Sequence, residues 1–400
     1  MVPKGWSESY LGEVVTYKKG YAFNSSLYAE EGIRIVRISD TTRDSIHSDN
    51  PVFIAGGNVE GLEQYSLFEN DIILSTVGSR PHLLDSMVGK AVKVPRSAHN
   101  SLLNQNLVKL IPKKTKITNE YLFSMLKTKE FIQFISNLVR GNANQVSITL
   151  ADLFKYKFIL PSLPEQKKIA QILSTWDKAI SVTEKLLTNS QQQKKALMQQ
   201  LLTGKKRLLD ERGGRYGGEW HRAELGAVLD YMQPTPYLVD STDYNDSYSI
   251  PVLTAGKSFI LGYTNEEHGI YHAPLPAIIF DDFTTDSKFV DFEFKAKSSA
   301  MKILTAKKGV SAKYIFEAMQ MLKFKIGGHQ RHWISIYSNL VIPIPDAKEQ
   351  QKIAAVLSAA DAEISTLEKK LACLKDEKKA LMQQLLTGKR RVKIDEAVAE

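Results

Sequence analysis

From Glu165 to Arg207 one stripe of side chains recurs at alternating steps of four and three: Ile169, Leu173, Trp176, Ile180, Thr183, Leu187, Ser190, Lys194, Leu197 and Leu201. Seven of these ten are apolar. From Glu349 to Arg391 the same stepping gives Ile353, Leu357, Ala360, Ile364, Leu367, Leu371, Leu374, Lys378, Leu381 and Leu385, with only Lys378 breaking the stripe. A stripe of this period held for more than five heptads predicts coiled-coil helices. Pro161, Pro164, Pro343 and Pro345 stand just before the periodic runs, where proline is tolerated. Thr-Gly-Lys at 203–205 and 387–389 supplies a C-cap glycine and closing cations. A helix over 165–203 would be about 58 Å long at about 1.5 Å per residue.

The two runs are copies. They align without a gap at a constant offset of 184, and 26 of 43 positions are identical. Two such helices can bury their seams on each other, and an internal pseudo-twofold relation makes them antiparallel. The alternative is that each packs only on its own domain. Identity concentrated in KKALMQQLLTGK includes Gln and Lys types that a seam does not require, which predicts a surface for an external partner. Leu197, Leu201, Leu381 and Leu385 are the expected helix or partner interface.

The segments between the copies barely match, yet share a skeleton. Trp6 with Leu11-Gly12 resembles Trp220 with Leu225-Gly226. Strand-like runs follow at 33–39, 71–79 and 107–112, then at 250–258, 277–284 and 301–306, and a helix closes each module at 119–135 and 311–325. The fold class is therefore α+β: two modules joined by two long antiparallel helices, arranged as a pseudo-twofold repeat. The expected boundaries are a first module over 1–160, a helix and spacer over 161–208, a second module over 209–345, a distal helix over 346–392 and a tail over 393–400. The four-glycine run 207–220 reads as the linker.

The charge of +9 lies in the copies, which carry +6 and +3 and leave the rest of the chain net neutral. Nucleic-acid contact outside the copies must then rest on local patches and not on a global field. A single cysteine, Cys373, excludes an internal disulfide, and no Cys/His cluster has zinc spacing. No apolar run approaches membrane length or a secretion signal, so a cytoplasmic protein is expected.

Polar loops between the strands offer groups that read base edges, because Arg pairs with guanine and Asn or Gln with adenine through two hydrogen bonds. The candidates are Asn24, Ser25, Ser79, Arg80, His82, Asn142, Asn144 and Gln145 in the first module. In the second they are Lys257, Thr264, Thr284, Thr285, Lys288, His329, Gln330, Arg331 and His332. No catalytic or metal-binding residue is expected. Ala255-Gly256-Lys257-Ser258 imitates a phosphate-binding loop, but Pro251 stands where its earlier glycine belongs. Asp281 or Asp282 with Glu293-Phe294-Lys295 imitates a metal-dependent nuclease core. The first module has no counterpart, and one cutting centre on a duplicated frame would be odd. A nuclease, or a coiled-coil scaffold without DNA affinity, are the rival readings.

The layout LPSLPEQKKIAQILS…KKALMQQLLTGKKR, repeated as IPIPDAKEQQKIAAVLS…KKALMQQLLTGKRR, resembles the specificity subunit of type I restriction-modification systems, over the whole chain. The phrases NDIILSTVGS and IIFDDFTTDSKFVDFEFKAKSSAMKIL are similar to target-recognition domains of that family. One departure is Asp346-Ala347 in place of Ser162-Leu163, which leaves room for a different start of the second helix. The resemblance implies a subunit without an active site. It also implies that each module reads one half of a split double-stranded DNA sequence, and that two methyltransferase subunits dock on the helices and domains. ATP-dependent restriction subunits then join. No cofactor is expected on this chain; S-adenosylmethionine, ATP and magnesium belong to the partners.

Overall fold

The computed structural model describes residues 2–83, 87–139, 146–254, 258–322 and 332–394. The chain forms two compact units, residues 1–182 with 371–400, and residues 183–370. Both long helices thread through both units. The first helix, Leu163–Leu201, gives its start to the first unit and its end to the second, and the second helix, Ala347–Leu385, does the reverse.

In the first unit the strands Val15–Lys19, Leu107–Pro112, Ile72–Ser75 and Ala91–Lys93 form an antiparallel sheet in that order. Ile72–Ser75 is an interior strand, and all four of its side chains are buried, as a continuous apolar run in that place requires. A second sheet holds Tyr28–Ala29, Val52–Ile54, Ile33–Val36, Ser101–Leu103 and Ser66–Leu67. The module closes where its first strand, Ser7–Tyr10, pairs with its last, Lys157–Leu160. In the second unit the four-stranded sheet runs Leu229–Met232, Met301–Ala306, Ala277–Asp281 and Ser287–Val290. A smaller sheet joins Ile260–Thr264, Ile250–Leu253 and Lys295–Ala296, and His221–Glu224 closes on Val341–Ile344.

The helical segment expected over 119–135 is two helices, Asn119–Met125 and Lys129–Leu138. The break comes from Thr128, whose hydroxyl caps the second by accepting the Phe131 N–H at 3.2 Å. The run 33–39 likewise stops early. Asp40 accepts the Arg37 N–H at 2.9 Å and binds the Arg37 guanidinium at 2.8 Å, which closes a turn after Val36.

Both long helices begin at equivalent positions, Leu163 and Ala347, so the second does not start differently. Asp346 caps the second start, because its carboxylate accepts the N–H groups of Lys348 and Glu349, each at 3.0 Å. All twenty residues of the two seams are buried or half-buried. Packing within each unit is antiparallel. In the first, Trp176 donates to Glu377 at 3.2 Å and Asp177 pairs with Lys378; in the second, Ser190 donates to Glu363 at 3.0 Å and Lys194 pairs with Asp361 at 2.6 Å. The two lysines that break the seam are thus each matched by an aspartate of the other helix.

Each unit's core mixes the two copies. In the first, Ile169 and Leu173 share one cluster with Leu385 and Leu386; in the second, Ile353 and Leu357 share one with Leu201 and Leu202. The glycine stops are real, with Gly204 at φ +72° and Gly388 at φ +70°. The linker is less free than its glycines suggest, since Arg207 and Trp220 at its ends are both bound to Glu349.

Candidate nucleic-acid interface

In each module the strand that ends the buried run leads into a polar turn, and the turn holds the segment that returns from the module's last helices. In the first module Val77–Gly78 pairs with Val146–Ser147, and Thr76 O accepts the Ile148 N–H at 3.0 Å. In the second, Asp282 O accepts the His332 N–H at 3.1 Å, and the Asp282 carboxylate accepts the Trp333 N–H at 2.8 Å. The fold therefore gathers the 78–82 loop with the strand after 141–145, and the 282–285 turn with 332–333.

The second corner rests on buried charge. Asp282, Lys302 and His332 are each at most 2% exposed. Lys302 Nζ donates to Gln233 Oε1 at 3.1 Å and to Ser299 O at 3.0 Å, and lies 3.6 Å from Asp282 Oδ2. Above them the turn is closed by Asp281, which accepts the N–H groups of Phe283 at 2.8 Å and Thr284 at 3.1 Å. Thr285 sits at φ +60°.

The polar candidates divide by position. Asn24, Ser25, Arg80, His82 and Thr284 are exposed, and Ser79, Thr285 and Lys288 half-buried. Asn24 caps the turn Ser25–Leu27 by accepting the Ser26 N–H at 3.0 Å. Two expectations need correction. Thr264 is 1% exposed and its hydroxyl accepts the Glu266 N–H at 3.2 Å, so it shapes a turn and faces no solvent. His332 is also 1% exposed, with Nδ1 2.9 Å from Asp282 O, and acts as an anchor under the corner. Asn142, Asn144, Gln145, Lys257, His329, Gln330 and Arg331 lie outside the described residues.

The polar reading overlooked the large apolar side chains on these same turns: Leu27 is 46% exposed, Leu83 52%, Phe283 45% and Ile334 61%. Periodicity gives no warning of them, since an isolated Leu or Ile in a short turn reads as ordinary core.

The residues that imitate a nuclease point to separate partners. Asp282 faces Lys302 and the Trp333 N–H, Glu293 pairs with His272 at 2.8 Å, and Lys295 binds Glu266 at 2.5 Å and His268 O at 2.8 Å. Asp240, Glu266 and His268 offer ligand atoms within 4.8 Å of one another, among the described residues. There the Lys295 ammonium already takes the place of a cation. Burial pushes the Glu266 carboxyl up, but Lys295 and the Ser241 and Asp240 N–H groups outweigh it and hold it below its ordinary value.

The four leucines of the helix ends lie in or against the cores. Leu201 and Leu385 are at most 2% exposed, and Leu197 and Leu381 are half-buried beside them. The repeated leucines of the copies are thus spent inside the chain, while Lys195, Gln199 and Gln200, and Lys379, Gln383 and Gln384, stay exposed.

Comparison with known proteins agrees with this architecture. The family described as type I restriction modification DNA specificity domain matches residues 3–189 and again 218–375. A stretch of 145 residues is 54% identical to the EcoR124I/EcoR124II specificity subunit of Escherichia coli, covering 35% of each chain. The putative MjaX specificity subunit of Methanocaldococcus jannaschii is 25% identical over 98% of this chain and 95% of its own. The crystal structure of the type I restriction-modification S subunit from M. genitalium shares the fold, with a TM-score of 0.66 at 14% identity over 95% of this chain and 96% of its own. With two matched domains on a duplicated helical frame, the chain belongs to the type I restriction-modification DNA specificity family.

Proposed function

We propose that the chain is the DNA-reading subunit of a type I restriction-modification complex, with each module reading one half of a bipartite duplex target. The observation that carries this is the common frame with unlike corners: equivalent backbone hydrogen bonds hold Thr76 against Ile148 and Asp282 against His332, while the side chains around them differ. Two such readers on one frame suit a target whose halves differ in sequence. The chain itself performs no chemistry in this reading. Two methyltransferase subunits dock on the duplicated helices and bring S-adenosylmethionine, and restriction subunits bring ATP and magnesium. The site of action is the cytoplasm, where the host DNA lies.

The test exchanges residues 1–160 for the first module of another family member and reads the methylation motif of cells expressing the complex. One half of the motif should change while the other half stays. A change in both halves, or in neither, overturns the reading. Purified chain incubated with magnesium and DNA should leave the DNA intact, and cleavage would restore the nuclease alternative.

A further inference from the structure

The two modules share more of their frame than the corner alone. Thr76 N–H donates to Asn106 O at 2.8 Å, and Asp282 N–H to Ala300 O at 3.2 Å. Thr118 N–H donates to Gln166 Oε1 at 2.9 Å, and Ser311 N–H to Gln350 Oε1 at 2.9 Å. These equivalences place Val77 opposite Phe283 in the comparison, and Leu150 opposite Ile334. Modules that read different sequences on one frame must differ where they read. At this corner the difference is a large, outward apolar pair.

Phe283 is 45% exposed and Ile334 61%, and they flank the hydrogen bond from Trp333 N–H to Asp282. Burying side chains of this size is favourable, so leaving both partly in water on one corner calls for a reason. Beneath them the fold buries an aspartate and a lysine, an arrangement whose desolvation seldom adds stability but does hold a geometry. The Phe283 turn is fixed further by the Asp281 carboxylate. A turn ordered in advance loses little entropy when its side chain meets a ligand. Thr284, exposed on the same turn, accepts the Asp286 N–H at 3.3 Å through its hydroxyl, which adds to the order of the turn.

We propose that Phe283 and Ile334 form an apolar reading element that contacts the C5-methyl group of a thymine in the major groove of the half-site read by the second module. The methyl is the apolar group that a base edge presents in that groove. This rests on the second module being a DNA reader.

The experiment uses the full chain co-expressed with its methyltransferase partner and reads the methylation motif. Phe283→Ala and Ile334→Ala, singly and together, are compared with an exchange of residues 209–345 for another family member's second module. The exchange should rewrite one half-site. In that same half-site the double variant should lose discrimination at an A·T pair by roughly tenfold or more. The other half-site and the melting temperature should be unchanged, since both side chains are already exposed. Uracil in place of that thymine should weaken binding by the wild-type complex and leave the double variant unaffected. If the exchange rewrites a half-site while the double variant keeps full discrimination, or that half-site has no A·T pair, the element is refuted and DNA reading stands. If the exchange rewrites nothing, the reading itself fails.

Discussion

Arg391 grips Glu165, a residue 226 positions earlier, with Nη2 at 2.6 Å and Nε at 2.8 Å from the same carboxylate oxygen. The other Glu165 oxygen accepts the Trp6 indole N–H at 3.0 Å. The second unit repeats this with the roles of the copies exchanged: Arg207 reaches Glu349 through two bonds of 2.6 Å, and Trp220 donates at 3.1 Å. In both, the guanidinium also lies over the indole, 5.4 Å from the Trp6 ring centre and 5.5 Å from that of Trp220. Each copy therefore supplies its first glutamate to one unit and its last arginine to the other.

Breaking the second clasp should cost more than breaking the first. Glu349 is fully buried and Arg207 only 23% exposed, whereas Arg391 is 42% exposed. Arg207→Ala strands a buried carboxylate and should destabilise by about 3 to 5 kcal/mol, the usual cost of breaking a buried pair. Arg391→Ala should cost clearly less. Urea denaturation of the two variants checks the order, and equal losses would contradict it.

The leucines of the helix ends should rank by burial. Leu201→Ala and Leu385→Ala remove core side chains and should each cost about 2 to 5 kcal/mol. Leu197→Ala and Leu381→Ala, half-buried, should cost less. Replacing all four with Asp should unfold both helix ends and abolish co-purification with the methyltransferase subunit. Normal co-purification of the quadruple variant would show that these ends are dispensable for assembly.

The long helices, the copies and the α+β modules were legible because each is a local pattern repeated many times. A stripe of ten seam positions survives three polar interruptions in the first copy and one in the second. The strand Ile72–Ser75 was visible as an apolar run, and its place inside the sheet explains why all four residues are buried. What stayed hidden was long-range pairing. Nothing near Lys302 in sequence announces that its ammonium is buried against Asp282 and Gln233. The same holds for His332, which reads as a loop histidine and proves to be an anchor. The repeated KKALMQQLLTGK suggested a surface for outside partners, and nothing in it says that the arginines just beyond it, Arg207 and Arg391, each clasp the glutamate at the start of the other copy.

The pH dependence of the second unit should carry the mark of Asp361, which accepts from Lys194 at 2.6 Å and Lys313 at 2.9 Å. Partial burial raises its pKa, but the two ammonium groups outweigh that and hold the carboxyl below its ordinary value. A carboxyl depressed on folding adds stability above its unfolded pKa, near 3.8, and loses it as pH falls through the lower folded value. Wild type should therefore melt above Asp361→Asn at neutral pH, with the gap closing as acidification carries the pH below the ordinary carboxyl value and through the lower folded one. A gap that is constant with pH would mean that Asp361 acts through shape and not through charge.

The two C-cap glycines should not tolerate the same substitution equally. Both stand in the left-handed region, Gly204 at φ +72° and Gly388 at φ +70°, so an alanine pays a similar backbone cost at either, on the order of 1 to 2 kcal/mol. Their surroundings differ. A Cβ on Gly204 would meet the Trp220 ring at 3.6 Å, an ordinary contact, whereas on Gly388 it would fall 2.4 Å from Pro3 Cγ and 3.3 Å from Trp6. Gly388→Ala must push Pro3 aside and disturb the indole that binds Glu165, so it should lower the melting temperature more than Gly204→Ala. Adding Pro3→Ala clears the clash and should return Gly388→Ala to the level of Gly204→Ala. If the two single variants melt alike, or Pro3→Ala gives no relief, the contact between the second copy's end and the start of the chain is not what sets the cost.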